Sequence, residues 1–102
     1  MMPRVFRPDL LTRHARERMD DHQVREVAVA FVYERGTLEC PADRGCTKRM
    51  VRRTVLVAGE RWGSLPCSAH ILENMTLVIG PNGEIVTLYR DTKMRPPVRF
   101  AA

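Results

Sequence analysis

The spacing of apolar residues changes once along this chain, at Gly36, and that change constrains the fold more than anything else in the sequence. Before it, Val24, Val27, Ala28, Phe31 and Val32 recur every three or four residues, the period of a helix with one buried stripe. After it come short runs rich in β-branched residues, divided by Gly, Pro and Asn, which is how strands and turns are written. Helices first and strands afterwards predict an α+β domain. Two N-terminal helices pack on one face of an antiparallel sheet of three to five strands.

The boundaries follow from local chemistry. Thr12 is a suitable N-cap, so the first helix is expected over about Arg13–Asp20 and the second over about Gln23–Glu34. Gly36 reads as a helix stop that accepts left-handed backbone. Thr37–Cys40 is a short strand. Arg49–Ala58 reads as the strongest strand, with Val51, Val55 and Val57 on one face. Met75–Ile79 and Glu84–Arg90 form a hairpin through Gly80-Pro81-Asn82-Gly83, whose proline and last glycine suit a tight turn. Residues 59–74, with Trp62 and Pro66, hold a further short strand of unassigned place. Val27, Phe31, Val55, Val57 and Leu77 are expected in one core.

A chain of 102 residues accommodates one such domain and not two. Its ordered part is expected over about residues 10–90, between loose proline-bearing arms at 1–8 and 92–102. Hydrophobic content of 44% and charged content of 28% argue against disorder. No apolar run approaches the ~18 residues that span a bilayer, and the first residues lack the pattern of a signal peptide. The expected setting is the cytoplasm, with thiols reduced and no membrane partner.

Charge is concentrated in one segment. Residues 44–61 carry Arg44, Lys48, Arg49, Arg52, Arg53 and Arg61 against Glu60 alone, a net of +5 that equals the excess of the whole chain. Such a stripe favours approach to a polyanion, with Arg49, Arg52 and Arg53 as candidate phosphate contacts. The competing reading is a solvated strand edge guarded against aggregation.

A second candidate site lies on the first helix. At about 100° per residue, Leu11, Ala15, Arg18, Met19 and His22 share a face, with His14 at its margin. A guanidinium within an apolar stripe calls for a partner. Either Arg18 pins the helix to the sheet, or Arg18 grips a phosphate in a cleft while His14 moves protons. Cys40, Cys46, Cys67 and His70 form a weaker set of zinc ligands, set against the reading that free cysteines are small buried hydrophobes. No other cofactor is expected.

Thr12-Arg13-His14-Ala15-Arg16-Glu17-Arg18-Met19, the helix after it and the final Ile85-Val86-Thr87-Leu88-Tyr89-Arg90 together resemble the family termed domain of unknown function 4258. That small bacterial and phage family has a His-Ala-x-x-Arg-Met helix and a closing Val-Thr-x-Tyr-like strand. It has been grouped with RelE/ParE-type toxins and barnase-like ribonucleases. The resemblance implies metal-independent RNA contact or cleavage, with His14 transferring protons and Arg18 binding phosphate. It also implies RNA as a partner and a cognate antitoxin or immunity protein as another. Tyr89 would add a hydroxyl or a stacking surface, unless it is simply a core tyrosine. A non-catalytic binding module for nucleic acid or an acidic protein is the alternative. The pattern is departed from between Cys40 and His70, where this chain is longer and more basic.

Overall fold

The computed structural model describes residues 4–90 together with the backbone of Arg99–Phe100. Helices α1 (Arg13–His22) and α2 (Glu26–Arg35) come first, then strands β1 (Leu38–Pro41) and β2 (Thr47–Met50). Helices α3 (Arg53–Trp62) and α4 (Ala69–Leu72) follow, and β3 (Met75–Ile79) and β4 (Ile85–Arg90) close the domain. The N-terminal helices pack on a four-stranded antiparallel sheet of order β4-β3-β2-β1, which the two-residue β5 (Arg99–Phe100) extends beside β1. The expected fold class is therefore the observed one. Among the described residues no helix is long and apolar enough to cross a membrane.

Helix α1 begins where its sequence says it should. The Thr12 hydroxyl accepts the Ala15 amide at 3.1 Å and donates to the Val86 carbonyl at 2.9 Å. One side chain thus caps the helix and ties it to β4. The Thr12 amide adds a 3.1 Å bond to the Ile85 carbonyl. Leu11, Ala15 and Met19 are buried on this contact. At the far end Gln23 adopts left-handed backbone (φ 54°), so the second helix starts at Glu26 and not at Gln23.

Helix α2 is apolar nearly all round, and the side that meets the sheet is turned from the expected stripe of Val24, Val27, Ala28, Phe31 and Val32. Ala28, Val29 and Val32 are buried there, whereas Val27 is 51% exposed and Phe31 is half-buried. Leu77 and Leu88 pair across β3 and β4 at the centre of the core, both buried. Of the expected core, Leu77 stands, Phe31 and Val55 pack at its margin, and Val27 and Val57 face outward.

The expected strand over Arg49–Ala58 is overturned. β2 stops at Met50, and a helix runs through Arg53–Trp62. Val51, Val55 and Gly59 are four residues apart, a spacing that satisfies two strand periods almost as well as one helical turn. Neighbours decide between them. β2 pairs with β1 over Thr47–Met50 and with β3 over Thr47–Arg49, and both neighbours run out within a residue of Met50, since β1 begins at Leu38 opposite Met50 and β3 begins at Met75. The helix instead buries Leu56 and Gly59, which outweighs a propensity cost of a few tenths of a kcal/mol for each valine or threonine. Gly63 closes it in left-handed backbone (φ 65°) and donates to the Glu60 carbonyl. The unassigned strand in residues 59–74 is likewise absent: this stretch holds the end of α3 and the short α4. Arg90 caps α4 by donating to the carbonyls of His70 (2.9 Å) and Glu73 (3.1 Å).

Gly36 is required for a different reason from the one its position suggests. Its φ is −70°, ordinary for any residue. A Cβ there would collide with the Val32 carbonyl and come within 2.6 Å of the Arg49 Cγ. Glycine is present because a side chain there would run into the last turn of α2 and the stem of Arg49, which passes over it. The hairpin turn behaves as expected, with Gly83 at φ 87°.

The N-terminal segment is docked from Arg4 onward, contrary to the loose arm expected over 1–8. Arg4 bonds the Gly36 carbonyl (2.8 Å) and Glu39 (2.9 Å). The Phe6 amide reaches Glu34 at 2.8 Å, and the Phe6 ring meets Tyr33 edge-on at 6.2 Å. The expected arm at 92–102 lies outside the described residues, apart from the backbone pairing of Arg99–Phe100 with Leu38 and Glu39.

Candidate nucleic-acid interface

The basic segment of the sequence does not form a stripe in space. Arg44 sits in the turn between β1 and β2, at the opposite end of β2 from α3. The Lys48 ammonium stands 5.7 Å from the centroid of the Tyr89 ring, on a sheet face opposite to that of its neighbour Arg49. Arg52 is half-buried at the N-cap of α3. Only Arg53 and Arg61 stay together, exposed at the two ends of α3.

Arg49 leaves the set of nucleic-acid contacts altogether. It is 9% exposed, and its register partner across β1 is Glu39. Its Nε and Nη2 donate to one Glu39 oxygen at 3.0 and 2.7 Å, and Nη1 donates to the Tyr33 carbonyl at 3.2 Å. The guanidinium also lies 5.5 Å from the centre of the Tyr33 ring. The same Glu39 oxygen holds Arg4. This is a satisfied structural node, since a buried charge is tolerable only when paired and hydrogen-bonded.

Helix α3 carries the exposed chemistry. Trp62 is 80% exposed and Val57 58% exposed, and Arg53, Thr54, Val57, Ala58, Arg61 and Trp62 line a shallow cleft of about 350 Å³. Arg53 and Arg61 have no ion-pair partner among the described residues. No acid occupies the first turn of α3, so Arg53 sits at the positive end of the helix dipole, an arrangement that an anion relieves. In the sequence Arg61 reads only as part of the basic segment and Trp62 only as part of residues 59–74, expected to hold a short strand, so neither is placed on a helix face. Gly63 is the signal that would have placed both in the last turn of a helix.

The His14/Arg18 pair is placed as follows. His14 is exposed on α1. Arg18, one turn later, has a side chain 36% exposed and an ion pair with Asp21 at 4.0 Å. Neither lines the larger clefts of the described residues, which lie against α2 and α3. Tyr89 is half-buried beneath Lys48 and borders a small cavity of about 80 Å³ with His22 and Arg90.

The zinc set does not assemble. Cys40 and Cys46 border one groove at the β1–β2 turn, whereas Cys67 lies with Arg25 and Ile71 in a cleft beside α2. Among the described residues no group of three or more His, Cys, Asp or Glu side chains is close enough to hold a metal ion. Burial raises the Cys67 thiol above its ordinary pKa, and Arg25 partly offsets this.

Comparison with protein-family models, curated proteins and solved structures returned no match.

Proposed function

We propose that this domain is a non-catalytic RNA-binding module whose contact surface is the exposed side of α3. The carrying observation is the placement of Arg53, Arg61 and the 80% exposed Trp62 on one helix, with neither arginine in an ion pair among the described residues. Indoles stack on any base, and arginines track phosphates, which is the chemistry of single-strand binding. The reading places the domain in the cytoplasm, where its three cysteines remain thiols.

The test is a labelled single-stranded oligoribonucleotide titrated with protein over a range of salt concentrations. Each arginine that contacts a phosphate contributes about 0.7 to the slope of log affinity against log salt. Arg53→Ala and Arg61→Ala should each remove about that much, and Trp62→Ala should weaken binding by about tenfold, within the range for one stacked base. Unchanged slopes, or no binding at low salt, would overturn the proposal.

The second reading is RNA cleavage at His14 and Arg18, as in a toxin of the domain of unknown function 4258 type. It is favoured by the exposure of His14 one turn from Arg18 and by the resemblance of residues 12–19. It predicts cleavage that persists in EDTA and falls by about 10²-fold in His14→Ala with RNA affinity retained. Wild-type protein that binds RNA without cutting it leaves the binding module as the function.

A further inference from the structure

The hairpin that joins β1 to β2 carries two of the three cysteines, and strand alternation brings them to one face. Cys40 is the register partner of Lys48, and Pro41 that of Thr47. The Ala42 amide donates to the Cys46 carbonyl at 2.9 Å, so the ladder continues one step beyond β2. Cys46 is two residues from Lys48 and in extended backbone (φ −82°, ψ 166°). Its side chain therefore leaves the sheet on the same face as those of Lys48 and Cys40. The two cysteines are diagonal neighbours across the hairpin. Both are half-buried, and both line one groove of about 220 Å³. The Cys40 thiol makes only a 3.5 Å contact to the Pro41 carbonyl, a weak one for sulfur. Gly45 also lines the groove, and nothing stands within 4 Å of where its Cβ would be, so the turn leaves the groove open.

We propose that Cys40 and Cys46 form a two-coordinate site for a soft monovalent cation, copper(I). Distance, ligand number and charge each select it. Diagonal positions on an antiparallel pair hold their Cβ atoms about 7 Å apart, whereas a disulfide needs about 4 Å. A linear sulfur–copper–sulfur bridge spans that gap. Two metal–sulfur bonds of about 2.3 Å, the length found in zinc thiolates, put the sulfurs roughly 4.6 Å apart. Zinc itself does not suit the pair, because it takes four ligands and among the described residues no third His, Cys, Asp or Glu joins these two. Glu39, the acid of the groove, is held by Arg4 and Arg49. Copper(I) is content with two thiolates, the soft ligands that select it. Binding exchanges two thiol protons for one cation and leaves a complex of charge −1. No electron moves: copper enters as copper(I) and the sulfurs stay reduced. Lys48 stands in register with Cys40, and Arg44 lies in the turn with Asp43 beside it, so the balance of nearby charge favours that anion. The site is at the end of β2 opposite to α3 and does not rest on the RNA reading.

The probe is copper(I) itself, supplied without oxygen as its acetonitrile complex to the full chain and contested by a chromophoric copper(I) chelator. Wild-type protein should retain one equivalent, and copper K-edge absorption should show two sulfur neighbours. Cys40→Ser and Cys46→Ser should each weaken retention by about 100-fold or more, at least what loss of a ligand's supporting group costs. Thermal melts of the metal-free variants should stay near wild type, since both positions are at the edge of the domain. Cys67→Ser, in the cleft beside α2, should leave retention unchanged. Full retention in either single variant, or equal loss in Cys67→Ser, would overturn the proposal. Three sulfur neighbours would do the same. So would one copper per two chains with a dimer in sedimentation, which would make the metal a bridge between copies. A Cys40–Cys46 disulfide formed with oxidised glutathione, in protein that does not retain copper(I), would assign the pair to thiol–disulfide exchange instead.

Discussion

Arg49 and Arg53 lie four residues apart in the same basic segment, and the fold gives them opposite roles. Arg49 is on β2, directly across from Glu39 in register, beneath Tyr33 and against a glycine that leaves it room. Arg53 is on the first turn of α3, exposed and in no ion pair among the described residues. The same side chain is structural in one place and available in the other. Charge along a sequence therefore predicts little until the acceptor opposite each residue is known.

The largest effect expected from this contrast is on the Arg49 node. Glu39→Ala leaves Arg49 buried without its carboxylate and releases Arg4, and should cost about 3 kcal/mol in denaturant unfolding. Arg53→Ala should change stability by less than about 0.5 kcal/mol in the same assay. If the two substitutions proved equally mild, the distinction between the arginines would collapse.

Gly36→Ala tests the node from the other side. The added methyl group meets the Val32 carbonyl and the Arg49 stem, so a loss of about 2 kcal/mol is expected. A methyl group accepted without loss would mean that the last turn of α2 and the Arg49 stem both give way, and that the node is less firmly held than its hydrogen bonds indicate.

Thr12→Ala removes the N-cap of α1 and the bond to Val86 together, and should cost about 1 kcal/mol by thermal melt. A value well above that would show that the tie to β4 contributes more than the cap.

The smallest expected effect is chemical and sets Cys67 apart from a free thiol. Burial holds its pKa up, so near pH 8 it should be alkylated more slowly than a free cysteine. Arg25→Ala removes the influence that lowers the pKa, and should slow the reaction further. Faster alkylation in that variant would show that Arg25 acts mainly by covering the thiol.

What could be read from the sequence was decided by neighbours close in the chain. The Thr12 cap, the two-helix start, the Gly80–Gly83 turn and the β3–β4 hairpin all depend on backbone preferences within a few residues. They determined the α+β class. The role of Gly36 was misread even though its place was found, because glycine looks the same whether it relieves a torsion or a contact, and the contacts come from the Val32 carbonyl and from residue 49.

What only the tertiary structure decided depended on partners distant in sequence. Val51 and Val55 fitted either period, Val57 fitted only the strand, and the end of the pairing region of β2 turned that segment into a helix. α2 offered apolar residues on every side, and the sheet took Ala28, Val29 and Val32, leaving Val27 and Phe31 toward a cleft beside α3. Six cations read as one stripe, yet strand alternation put Lys48 and Arg49 on opposite faces and the register gave Arg49 to Glu39. Local torsion and capping are short-range forces and are written locally. Burial and charge pairing act between surfaces that exist only once the chain has folded, so the exposed face of α3 and its cleft became visible only there.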